Sequence, residues 1–77
     1  MKKISIKEIK ERLKGKEKEY FSFLRVIEYL GYIIETVDDE NKFDIEWVED
    51  IEDLKEEIEY FMNFNYRKIV NIYEIVK

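Results

Sequence analysis

The side chains with the most chemistry available to them are carboxylates. Glu49, Asp53 and Glu57 recur at four-residue steps beside Glu52, Glu56 and Glu59, and Asp44 and Glu46 alternate with Phe43, Ile45 and Trp47. Carboxylates in such arrays serve three purposes: holding a divalent cation, moving a proton, or recognising a cationic partner.

The first purpose is tested by spacing. Asp38, Glu40, Asp44, Glu46 and Glu49 occupy relative positions 1, 3, 7, 9 and 12 of a calcium-type loop, but Phe43 replaces the turn glycine and Lys42 stands in place of an oxygen ligand. Metal binding is therefore not expected. Catalysis has little material either, because the chain has no His, no Cys and no glycine-rich phosphate loop, and its aliphatic hydroxyls are Ser5, Ser22 and Thr36. Carboxylates alone need a pocket that shifts one pKa, which a domain this small has little room to build. No enzyme and no cofactor are expected.

Recognition remains. From Glu35 to Glu59 the chain carries thirteen acidic residues and two lysines, a net charge of −11, whereas the whole chain is only −5. The ends are net positive, so the molecule is a dipole with an acidic middle. Such a block suits a cationic partner. Glu49, Asp50, Glu52 and Asp53 are largely accounted for by the positive end of a helix. Asp44, Glu46, Glu56, Glu57 and Glu59 are not, and they make the sharper candidate surface. Lys3, Lys7, Lys10 and Lys14 form a basic stripe, read as a solvated face that offsets the acidic block. Direct nucleic-acid binding is not expected, since the acidic middle would repel it.

These groups need elements to hold them. Ser5-Ile6-Lys7-Glu8 reads as a capping box opening a helix over about residues 6 to 14, with Ile4 and Ile9 as its staple and Gly15 as its stop. A second helix is expected from about Glu17 to Leu30, with Gly31 as its C-cap. Tyr32 to Val37 and Phe43 to Val48 read as strands joined by the polar turn Asp38 to Lys42, with Glu35, Asp44 and Glu46 on the outer face. Asp50 caps a third helix with core positions Ile51, Leu54, Ile58, Phe61 and Met62. Tyr66 to Val76 reads as a strand, although its spacing also accommodates a helix. The expected fold is α+β in the order α-α-β-β-α-β, a small three-stranded antiparallel sheet packed on helices, with residues 1–77 as a single domain.

Twelve aromatic residues are many for this length. Tyr20, Phe23, Phe43, Trp47 and Phe61 are assigned to the core, and Tyr29, Tyr32, Phe64, Tyr66 and Tyr73 to a partly exposed patch of the kind that anchors interfaces. No apolar run is long enough to cross a bilayer, so no membrane partner is expected and the protein is placed in the cytosol.

In size, acidity and lack of catalytic residues, the chain and its Glu35 to Glu59 block resemble the small acidic inhibitors encoded by phages and mobile elements, such as anti-CRISPR and anti-restriction proteins. The resemblance implies a stoichiometric viral inhibitor acting in a host cytosol as a DNA mimic. It would occupy the channel of a basic nucleic-acid-binding protein, with Asp44, Glu46, Glu49, Asp53, Glu56 and Glu57 opposing Lys and Arg, and Glu59 beside them. The alternative is a regulatory module that dimerises or docks through an aromatic edge at Phe64 and Tyr66.

Overall fold

A computed structural model of the chain describes residues 1–64 and 67–77. Four strands and three helices follow in the order β1 (Lys2–Ser5), α1 (Ile6–Arg12), α2 (Phe21–Val26), a 3-10 turn (Ile27–Tyr29), β2 (Tyr32–Val37), β3 (Phe43–Val48), α3 (Ile51–Phe64) and β4 (Lys68–Val76). The strands lie side by side as β1-β4-β2-β3. β2 pairs antiparallel with both β3 and β4, which is the expected three-stranded antiparallel unit. To it the structure adds β1, parallel to β4 from Lys2 opposite Tyr73 to Ser5 opposite Val76. The sheet is therefore four-stranded and mixed, and the fold remains α+β.

Side chains on its two faces alternate strictly enough to build two cores. One face gathers Ile4, Ile9, Phe23, Ile27, Leu30, Ile33, Tyr73 and Ile75 beneath α1, α2 and the 3-10 turn. The other gathers Ile34 and Val48 beneath Leu54 and Phe61 of α3. Phe23 and Leu54 are the large anchors of the two layers, each essentially without solvent contact.

Local signals explain most of the element boundaries. Ser5 Oγ accepts the Glu8 amide at 3.1 Å, so Ser5 caps α1 as expected. The Glu8 carboxylate does not reach back, however, and pairs with Arg12 at 2.9 Å. Gly15 takes a φ of +88° just beyond the helix. Asp50 Oδ1 accepts the Asp53 amide at 2.9 Å and opens α3. In the hairpin, Asp38 Oδ1 accepts the amides of Glu40 and Lys42 at 2.8 and 3.0 Å.

Several expectations are corrected. The second helix is shorter than residues 17 to 30, giving way to a 3-10 turn at Ile27. Gly31 is not a left-handed cap: a Cβ there would collide with the Glu49 carbonyl, while its amide bonds Val48 O at 2.9 Å and its carbonyl accepts from Ile75 at 2.8 Å. Glycine is needed for close approach between backbones. Ile51 and Met62 are exposed rather than in the core, because Leu54, Ile58 and Phe61 already span the stripe that the sheet can cover. Phe43, at the outer end of β3, is 67% exposed, whereas Tyr73 on the central strand β4 is buried. Lys3 lies on β1 and is not part of a helical stripe with Lys7, Lys10 and Lys14.

Candidate partner-binding surface

Asp44 and Glu46 are two residues apart on β3 and share one face of the sheet. Their register partners on β2 are Thr36 and Ile34, and Ile34 belongs to the core beneath α3. The two carboxylates therefore flank α3. Glu35 is opposite Ile45, on the other face, so the expected outer row of Glu35, Asp44 and Glu46 is not formed.

α3 contributes its own row. With about 100° per residue and Leu54 at the centre of the buried face, Glu57 lies about 60° round one side and Asp53 about 100° round the same side. Tyr60 and Phe64 continue that flank at the next turns, so Asp53, Glu57, Tyr60 and Phe64 form one stripe at steps of four, three and four. Tyr60 and Phe64 are in ring contact, their centroids 4.8 Å apart. Glu56 rides the solvent crest, and Glu59 lies beyond it toward the opposite flank. The block thus divides. Asp44, Glu46, Asp53 and Glu57 form a ridge along the β3 side of α3, and Glu56 and Glu59 do not belong to it. Glu49 is exposed in the connection that leads from β3 into α3.

The ridge is electrostatically unfavourable to itself. Burial, followed by the charges of Glu57 and Asp44, pushes the Glu46 carboxyl above the usual carboxylate range, against a weaker opposing pull from Arg67. Arg67 is already engaged: Nε donates to Thr36 Oγ1 at 2.9 Å, Nη2 donates to Lys42 O at 3.1 Å, and Nη1 lies 3.8 Å from Asp38. Among the described residues, none of Asp44, Glu46, Glu49, Asp53, Glu56, Glu57 and Glu59 forms an ion pair. No group of three or more acidic side chains there converges to hold a metal ion.

On the opposite face lies an open cleft of about 150 Å³ that periodicity does not announce. Ile33, Ile45 and Tyr73 form part of its lining, with Arg12, Glu35 and Asp44 among its polar groups. Arg12 stands 5.7 Å from the Tyr73 ring centroid, and Glu35 accepts from Asn71 Nδ2 at 2.8 Å. Burial, with Glu19 and Asp44 adding to it, pushes up the pKa of the Tyr20 phenol, which lines the cleft. Asp44 borders the cleft and also acts on Glu46, which makes it the link between the two faces at the β3 edge.

Phe64 is 63% exposed, as expected for an aromatic edge. Tyr66 lies outside the described residues. Tyr60 was missed by the sequence reading, although the spacing from Asp53 through Glu57 to Phe64 already carried it. The Arg12 and Tyr73 pairing, 61 residues apart, had no local signal. Comparison of the chain with family models, curated proteins and solved structures finds no match.

Proposed function

We propose that the chain is a small acidic protein-binding inhibitor, a stoichiometric blocker that mimics nucleic acid and occupies the basic groove of a nucleic-acid-binding protein such as a CRISPR effector or restriction enzyme. The observation that carries this reading is the ridge of Asp44, Glu46, Asp53 and Glu57. Two separate elements bring these carboxylates to one flank without ion pairs, against their mutual repulsion. Alternate residues on a strand stand about 6.6–6.8 Å apart, roughly twice the 3.4 Å step of phosphates along one DNA strand. Glu49 and Glu56 extend the negative field to either side. Tyr60 and Phe64 adjoin it, and an aromatic face next to carboxylates suits arginine, which pairs with one and stacks on the other. The reading is one of binding, with no reaction assigned.

The test is retention of basic nucleic-acid-binding proteins on the immobilised chain, with release by added duplex DNA or by salt. A chain carrying Asp44→Lys, Glu46→Lys, Asp53→Lys and Glu57→Lys should lose that retention while keeping its circular dichroism spectrum. Retention that survives charge reversal and is indifferent to DNA overturns the reading.

A second reading, a dimer seam at the aromatic end of α3, is favoured by one observation, the exposure of Phe64 beside Tyr60. It predicts concentration-dependent sedimentation that Phe64→Ala abolishes.

A further inference from the structure

Among the described residues, β3 is the outermost strand on its side of the sheet and pairs with β2 alone. The Asp38 amide donates to the Lys42 carbonyl at 3.1 Å. Bonded and non-bonded pairs alternate along an antiparallel ladder. In this register, Thr36 with Asp44 and Ile34 with Glu46 are the bonded pairs, and Phe43, Ile45 and Trp47 turn their backbone N–H and C=O groups away from β2. Among the described residues, the protein partner of these outward groups is a local one: Asp44 Oδ1 accepts the Ile45 amide at 2.8 Å. Such an edge is a template for another strand.

What can be added is decided by the two faces. On the α3 side, Asp44 and Glu46 have Thr36 and Ile34 as cross-strand neighbours and form no ion pair among the described residues. Arg67, bonded to Thr36 and paired with Asp38, pulls only weakly on Glu46, and Glu57 adds a further negative charge. On the other side, Phe43 is exposed, Ile45 and Trp47 are half-buried, and Phe43 and Ile45 border the cleft. A second copy of the chain is a poor occupant, since pairing β3 with β3 would bring Asp44 and Glu46 of both chains onto a shared edge, where like charges across strands destabilise.

We propose that the β3 edge is a site for antiparallel addition of an extended segment of a partner in which basic residues alternate with apolar ones. The basic side chains stand across from Asp44 and Glu46. The apolar ones cover Phe43, Ile45 and Trp47, and one of them enters the cleft. As the partner's carbonyl takes over the Ile45 amide, the Asp44 carboxylate is released to pair with the incoming cation. Backbone bonds supply affinity and the alternation supplies specificity. The proposal rests on the reading of the acidic ridge as a partner surface and adds a backbone component to it.

The alternation makes the geometry testable without altering the protein. In antiparallel addition, residues across from Ile45 share its face and are the ones bonded to it, so in a short synthetic peptide of alternating lysine and valine, valine amides bond β3 and lysine amides point away. The unmodified peptide should slow hydrogen exchange at the Ile45 and Trp47 amides. Methylating the valine amide nitrogens should weaken binding by at least about tenfold relative to methylating those of lysine, the loss expected when backbone bonds are removed. Equal binding of the two methylated peptides overturns strand addition yet leaves the ridge as an electrostatic surface. Binding indifferent to salt and to the fourfold charge reversal instead overturns the ridge reading. Failure of the unmodified peptide to bind at low salt overturns strand addition, and so does concentration-dependent protection of the same amides in the protein alone, which would assign the edge to a second copy.

Discussion

Glu46 and Asp38 respond to acid in opposite directions, and each carries a prediction. Burial and the neighbouring Glu57 and Asp44 raise the folded-state pKa of Glu46. Its ionised form therefore opposes folding at neutral pH, and that penalty is relieved as pH falls through the raised value. Glu46→Gln should raise the melting temperature at pH 7, with the gain fading to nothing below the ordinary glutamate range. Asp38 is held low chiefly by the Lys42 amide; burial, the next effect, opposes this, and the Glu40 amide and the Arg67 guanidinium add smaller pulls in the same direction as Lys42. Its contribution is present above the unfolded pKa and lost as pH falls through the depressed one. Asp38→Asn should lower the melting temperature at pH 7 and have no effect in strong acid. Thermal melts of both variants across pH check the pair. Thr36, fully buried, offers Arg67 Nε its acceptor. Thr36→Val keeps the shape and strands the donor, and should cost about 1–3 kcal/mol by urea denaturation.

At the scale of elements, the two-layer core sets the expectation. A chain of 77 residues has a stability on the order of 4–12 kcal/mol. Phe23→Ala or Leu54→Ala removes an anchor of one layer and should cost about 2–5 kcal/mol, enough to leave the protein marginal. Met62→Lys, on an exposed position of α3, should stay within about 0.5 kcal/mol of wild type. Chemical denaturation of the three variants separates these outcomes. Leu54, Ile58 and Phe61 were legible because an amphipathic helix repeats its burial every three or four residues. β1 was not, because four residues with one buried side chain, Ile4, carry no period, and Ile4 and Ser5 were already accounted for as staple and cap. Its strand identity comes from β4, some 70 residues later. Within the candidate surface, Asp44 and Glu46 alternating on β3 were readable from sequence. Their meeting with Glu57 was not, nor was the separation of Glu59 from them, since both depend on which side of α3 rests against β3.

For the whole molecule, charge distribution governs the response to salt. The Debye length falls from about 30 Å at 0.01 M to about 8 Å at 0.15 M ionic strength. Screening over this range relieves repulsion along the ridge, so the melting temperature should rise with salt, while affinity for a basic partner should fall. Differential scanning calorimetry and a binding titration in the same buffers test the two opposing trends. A melting temperature that falls with added salt would mean that attraction between the positive ends and the acidic middle outweighs repulsion within the ridge.

The strand order β1-β4-β2-β3 seats β4, made after the other described elements, between the first strand and the hairpin. Until Lys68–Val76 has been synthesised, β1 has no neighbour and β2 has one free side. The chain therefore cannot assemble in the order in which it leaves the ribosome, and what emerges before β4 is an isolated hairpin, which is at best marginally stable, with helices that have no finished sheet to cover. Folding must wait for contacts between β1 and β4, some 70 residues apart, the slow class of closure. A nascent chain stalled before Lys68 should be protease-sensitive throughout, with no resistant N-terminal fragment.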